Sequence, residues 1–398
     1  MLLQAGQLLS SAGTQSTSIA YALLTLALTG SPAKAGLVGF MRLAPFAALA
    51  LPAGVAADRF DRRRIMVAAD AVRGIALGLL AAALVAGRAS FGAILAVAFV
   101  EGAGTAFFFP ASAGALRSVV PTRQLPSAAG AGQARQATVR LAGPPLGGAL
   151  FGVGRAVPFV FDALSYGGSL VSVLLMRTPF QEAREAPAER LRAQLGAGLR
   201  FVWEQRFLRT VALLLAVTNI IGPGILLTLV VVGRDQGLSG GEIGLLIAAL
   251  GAAMLVGSLA SPIVRRRLAP RRILLLKLWT WVLSAAFVLR PDVYVLAAAI
   301  LPSGFAIPNT DAAIIGYRLA ITPDRLVGRV DSVQTTIAIA AAPVGTLGAG
   351  VLLGAAGARA TIAALAGLAL LLAIAGTFSP AIRTAPSLDD LDALRAPR

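Results

Sequence analysis

The chain has no cysteine and no histidine. Disulfides, thiolate and imidazole metal sites, thiol nucleophiles and histidine general bases are therefore excluded, and most enzyme chemistries go with them. No GxxxxGK[ST] phosphate loop is present, which argues against direct ATP drive. Charge is scarce as well, at 13% of residues against 57% hydrophobic. So little charge cannot coat a soluble protein of 398 residues. Apolar runs of about twenty residues recur along the whole length instead, as in a chain that lives in lipid. What charge there is has one dominant sign, a formal net +17. The bases fall in short loops between apolar runs rather than along a polar face, so membrane topology accounts for them and nucleic acid is not an expected partner.

Apolar runs read against charged or Pro/Gly breaks predict twelve helices, roughly 2–29, 36–57, 65–87, 91–116, 126–153, 156–177, 208–232, 242–264, 271–289, 292–317, 330–354 and 357–379. If both termini are cytoplasmic, the outer loops carry single bases, namely Lys34, Arg88, Arg155, Arg234, Arg290 and Arg359. The inner loops then hold clusters such as Arg59, Arg62, Arg63 and Arg64, or Arg265, Arg266 and Arg267. That asymmetry orients the chain in a cytoplasmic (inner) membrane. The first helix lacks a basic flank and a small-residue cleavage site, so it is expected to be retained rather than removed.

The longest polar stretch, from Arg177 to Arg209, divides six predicted helices from six. The expected organisation is an N-terminal bundle over roughly 1–177, a cytoplasmic central loop over 178–207, a C-terminal bundle over 208–380 and a cytoplasmic tail over 381–398. The halves echo one another: "GSLASPIVRRR", with Gly257 and Arg265, repeats "GVAADRFDRRR", with Gly54 and Arg62, at the same offset. A fainter echo pairs "PPLGG" at 144–148 with "PVGTLGAG" at 343–350. Weak parallel repeats of this kind suit a transporter.

Gly54, Asp58, Arg59, Arg62 and Arg63 form G-x-x-x-D-R-x-x-R-R between the second and third predicted helices. This resembles the signature loop of the major facilitator superfamily. Asp61 stands where the family usually has glycine, a departure shared by its drug and siderophore exporter branch, similar to enterobactin and macrolide exporters. "RLAGPPLGGALFG" from Arg140 to Gly152 resembles that branch's fifth-helix antiporter motif. "FDALSYGGSLVS" at 161–172 resembles its sixth helix, and "YRLAITPDRLVGRVDS" at 317–332 its loop into the eleventh. The resemblance implies an all-α membrane protein of twelve transmembrane helices in two pseudo-symmetric six-helix bundles. It also implies that Asp58 packs against the start of the eleventh helix, near Val330 and Asp331, as a cytoplasmic gate. Arg59, Arg62 and Arg63 have Asp331, Asp324 or Asp70 as candidate bridging partners, although positive-inside bias alone also explains arginines here. In the antiporter motif Gly143, Gly147 and Gly148 allow close helix approach and Pro144 and Pro145 bend the helix, which suits a pivot or ordinary small-residue packing.

Ionisable groups inside apolar runs are costly unless they face a cavity or a partner. Glu101 lies about 15 Å into the fourth helix at about 1.5 Å per residue, which makes it the foremost candidate proton carrier. Asp162 and Asp311 are the other candidates, and Arg42 completes the set; a pair between Arg140 and Asp162 is conceivable, and a satisfied interhelical hydrogen bond is the alternative role for each. Gln15, Tyr21, Gln133 and Asn309 are candidate polar groups of a substrate cavity. Phe107, Phe108, Phe109, Trp279 and Trp281 suit a hydrophobic or amphipathic substrate better than a sugar. The expected function is export of such a molecule by proton antiport and alternating access. An importing facilitator or proton symporter is the alternative, and a membrane-embedded enzyme or sensor lacks a visible polar cluster. Small-molecule substrate, protons and membrane lipid are the expected partners of a monomer with no metal and no cofactor.

Overall fold

The computed structural model describes residues 2–176, 178, 180, 191–323 and 326–384. Among these the chain is helical, with no strand. In chain order the helices are α1 (Leu2–Thr29), α2 (Pro32–Arg59), α3 (Arg62–Val85), α4 (Phe91–Val119), α5 (Leu125–Val153), α6 (Val157–Leu175), α7 (Leu191–Glu204), α8 (Arg206–Asp235), α9 (Gly240–Arg267), α10 (Pro270–Val282), α11 (Ala286–Leu289), α12 (Val293–Ile321), α13 (Val327–Phe378) and α14 (Pro380–Arg383). Nine segments among the described residues are long and apolar enough to cross a bilayer. Leu79, Leu289 and Phe378 are 66%, 86% and 69% exposed, an outward-facing apolar surface that only lipid tolerates.

Local chemistry sets the helix ends. Ser31 caps α2 by accepting from Lys34 N, Ser90 caps α4 through Ala93 N, and Asp292 caps α12 through Tyr294 N at 2.8 Å. Asp61 caps α3, accepting from Arg63 N at 2.8 Å and Arg64 N at 3.2 Å. The residue that departs from the family's glycine therefore starts the helix that follows. α13 runs for 52 residues as two helices joined at Gly357, whose φ of 76° only glycine adopts cheaply. The expected break between the eleventh and twelfth helices falls there. The expected single helix over 271–289 is instead α10 and α11 joined by a 3₁₀ turn, Leu283–Ala285. The polar stretch expected as a loop over 178–207 contains α7. Val202 of α7 is buried against Leu208 and Val330, so this segment adds a short packed helix to the transmembrane set.

Two compact units result. The first comprises 1–187 with 226–248 and 346–355, and the second 188–225, 249–345 and 356–398. In the first unit α2 crosses α4, and α6 packs on α1 and α3. Tyr21, Leu24, Leu77, Leu80, Ile94, Phe159 and Tyr166 fill its centre. In the second, α9 meets α12 where Gly257 faces the backbone of Phe305, and α10 packs on α12.

Candidate functional site

Most of the buried charge among the described residues sits in the first unit, and glycines bring it together. In "EGAG", Gly102 lets α4 press on the carbonyl of Arg42 in α2, and Gly104 leaves room for the stem of Arg73 in α3. Glu101 is thereby brought to Arg42, whose Nη2 and Nε donate to its Oε1 at 2.8 and 3.1 Å. Arg42 also donates to the carbonyl of Thr14 at 2.8 Å and stands over the ring of Tyr21, 5.5 Å from its centroid. Glu101 is 2% exposed, so its charge is matched by an arginine inside the bundle.

Asp162 is placed differently. Gly6 and Gly13 let α1 lie directly on Ser172, Ser169, Ser165 and Asp162 of α6. In that seam Thr17 Oγ1 donates to Asp162 Oδ2 at 2.8 Å, and Ser165 Oγ to Oδ1 at 3.1 Å. Asp162 is fully buried, and its hydrogen-bond donors are hydroxyls. Arg140 is exposed on α5 and makes no ion pair with it among the described residues. One turn back along α1, Thr14 shares a 2.8 Å hydrogen bond with Tyr166. Tyr166 in turn accepts from Arg73, whose guanidinium lies 4.2 Å from its ring centroid and is ion-paired with buried Asp70.

Between α1, α4 and α5, with Arg73 behind, lies a cavity of about 330 Å³. Gln15 lines it, as do Phe108 and Phe109. Phe107 faces a separate apolar hollow, Trp281 is buried, and Trp279 donates to Thr377. Tyr21 lies in the core rather than on the cavity wall. The side chain of Gln133 lies outside the described residues. In the second unit Asn309 is buried, its Nδ2 donating to the carbonyls of Gly257 and Phe305, so its donors hold α9 to α12. Asp311 is paired with Lys277 at 3.7 Å.

In the signature loop, Gly54 has no neighbour close enough to need a glycine. Arg62 is buried, donates to Ala57 O and Phe180 O, lies against Gly114 and is 3.8 Å from Asp58. Arg63 donates to the carbonyl of Leu174. Both therefore tie the loop to its own unit; Arg59 is exposed. Of their candidate partners, Asp70 is held by Arg73, Asp331 is ion-paired with Arg318, and Asp324 lies outside the described residues. In α5, Gly143 faces Gln15, Gly147 the backbone of Ser16, and Gly148 the backbone of Gly240. Gly244 rests on Pro144 and Pro145.

Sequence reasoning passed over Arg73, Arg135 and Lys277. A lone lysine inside "ILLLKLWTWV" was the available signal for Lys277. Arg73 and Arg135 lie inside the predicted helices over 65–87 and 126–153, and their position within an apolar run was the available signal for them too.

Nine apolar segments long enough to cross a bilayer among the described residues, with charge pairs buried between the helices, mark a multi-pass membrane protein. The chain matches the family described as "Transmembrane secretion effector" over residues 2–397 and belongs to it, within the major facilitator superfamily. It is 32% identical to the multidrug efflux pump Tap of Mycobacterium tuberculosis over 410 residues, covering 97% of this chain and 93% of that one. It is 29% identical to macrolide efflux protein A of Streptococcus pyogenes over 146 residues, 36% of this chain and 35% of that one. Its fold is that of a bacterial homologue of the lysosomal transporter Spinster, with TM-score 0.75 and 16% identity over 96% of each chain. A bacterial homologue of the iron transporter ferroportin shares it too, with TM-score 0.74 and 17% identity over 94% of this chain and 97% of that one. The architecture is the expected one of two six-helix bundles.

Proposed function

We propose that this chain is a drug efflux transporter of the cytoplasmic membrane. It exports hydrophobic or amphipathic molecules in exchange for protons by alternating access, with both termini in the cytoplasm. The efflux reading rests on relatives named for efflux, one of them matched along nearly its whole length. The observation that carries proton coupling is Asp162, a carboxylate sealed in the α1–α6 seam with hydroxyl donors. Its hydrogen-bond donors are hydroxyls and no cation among the described residues touches it directly, so gain and loss of a proton are coupled to opening of the seam. Glu101 has Arg42 for that purpose and is assigned to holding α2 against α4. Thr17 and Thr14 lie one turn apart on α1, so a change at Asp162 reaches the cavity wall through a single helix. The loop from Gly54 to Arg63 serves as the cytoplasmic gate, with Arg62 anchoring it and pairing with Asp58 at 3.8 Å.

Inverted vesicles with an acid interior test this reading. Parent protein should accumulate substrate, and Asp162→Asn should lose accumulation while keeping downhill substrate exchange. Glu101→Gln should still accumulate wherever it folds. Loss of accumulation in Glu101→Gln with retention in Asp162→Asn would transfer the proton to Glu101, and substrate uptake driven by inward proton flow in whole cells would replace export by import.

A further inference from the structure

The cavity between α1, α4 and α5 is lined by two guanidinium groups, Arg73 and Arg135, and by no carboxylate. The two arginines differ in their partners. Arg73 donates to Ala69 O, Thr105, Tyr166 and Asp70, so its donors are engaged and its charge is matched. Arg135 Nη1 donates to the side-chain oxygens of Gln4 and Gln7 at 2.8 and 2.6 Å, and its Nε is buried with no hydrogen-bond partner. Amide oxygens orient a guanidinium without cancelling its charge. Among the described residues no acid is ion-paired with Arg135. An arginine fixed in this way on a cavity wall, its charge unmatched by an acid, is complementary to an anion. Phe108 and Phe109 supply the apolar wall opposite, and about 330 Å³ is within the range of small-molecule sites.

We propose that this cavity selects amphipathic anions: molecules whose carboxylate, sulfonate or phosphate is held by Arg135 while an apolar or aromatic body rests on Phe108 and Phe109. The proposal rests on the export reading and narrows its substrate class. A cation of the same shape would face the arginines with no acid to offset them, so the site discriminates by charge before shape.

The test uses three dansyl probes of similar size, dansylglycine (anionic), dansylglycinamide (neutral) and dansylcholine (cationic), bound to full-length protein in neutral-lipid nanodiscs. Dansylglycine should bind most tightly. Arg135→Gln should weaken it about 10- to 100-fold, the worth of a charge-assisted hydrogen bond, and leave dansylglycinamide within about threefold. Arg135→Lys should keep the preference for the anion. Ser11→Asp, which puts an acid on the cavity wall, should shift preference towards dansylcholine and keeps the test decisive should Arg135→Gln fail to fold. Equal or tighter binding of dansylcholine by parent protein, or an Arg135→Gln protein that folds and binds dansylglycine unchanged, would overturn the proposal. Displacement of dansylglycine by dispersed phosphatidylglycerol at lower concentration than by its own carboxylate analogues would make a lipid headgroup the occupant and overturn the substrate assignment. Failure of the export reading looks different: Arg135-dependent binding of dansylglycine with no energised movement of any probe in inverted vesicles. Energised export of dansylcholine alone would keep export and reject the anion site.

Discussion

Removing the cation of the Arg42–Glu101 pair alone should be far worse than removing both charges, and the two single removals should not be equal. Arg42→Met leaves a 2% exposed carboxylate without its cation, a loss of about 3–5 kcal/mol where such pairs are broken. Glu101→Gln is milder, because Arg42 is 17% exposed, keeps the Thr14 carbonyl and can still donate to the amide oxygen. One charge-assisted hydrogen bond weakened to a neutral one costs about 1–2 kcal/mol. Arg42→Met with Glu101→Gln removes both charges and leaves no uncompensated ion in the bundle, which brings the double variant to within about 1–2 kcal/mol of the parent. The coupling energy between the positions, the single losses less that of the double, should then reach about 3–5 kcal/mol. Melting of the four proteins in one detergent, checked by SDS-titrated unfolding in bicelles, measures the cycle. If Arg42→Met melts no lower than Glu101→Gln, or the double variant loses the sum of the singles, the pair does not hold α2 to α4 as argued.

Asp58→Asn should lower turnover in vesicles while substrate affinity in nanodiscs stays within about twofold, since the gate acts on the rate of switching and not on the site; unchanged turnover would remove the gate role. Gly147→Ala should lose about 1–3 kcal/mol on melting because the added methyl meets the backbone of Ser16, whereas Gly152→Ala, with open space around it, should melt within about 2 °C of the parent.

The apolar spans were legible because each depends on local composition: a run is apolar for about twenty residues or it is not. The junction at Gly357 was legible for the same reason. The pairing of charges was not. Glu101 invited the reading of a lone carboxylate because Arg42 is 59 residues away, and only the crossing of α2 and α4 at Gly102 brings them together. The conceivable pair of Arg140 with Asp162 depended on helix rotation, which no local pattern fixes; Arg140 turns out of the bundle while Thr17 takes the place beside the carboxylate. Arg135 was passed over although it falls inside the predicted helix over 126–153, because which face of that helix it occupies, and that Gln4 and Gln7 of α1 meet it there, depends on helix packing that no local pattern fixes. Asn309 was read as a cavity group, and the donation of its Nδ2 to the carbonyls of Gly257 and Phe305 was not legible because it depends on where α9 meets α12.

The turns of the first unit have a practical consequence. At one end of that unit the chain reverses through Gly30, Gly87 and Gly237, at φ of 62°, 67° and 84°, and through the short Gly154 link. Each reversal closes within a few residues on backbone hydrogen bonds of its own, such as Gly30 N to Leu26 O and Leu238 N to Gly233 O, both 2.9 Å. Such a face offers no slack for a protease to engage and no peptide for an antibody to lift. Grafted reporters, cleavage sites and fiducial domains inserted at these tips would have to pry apart helices that these short turns hold side by side.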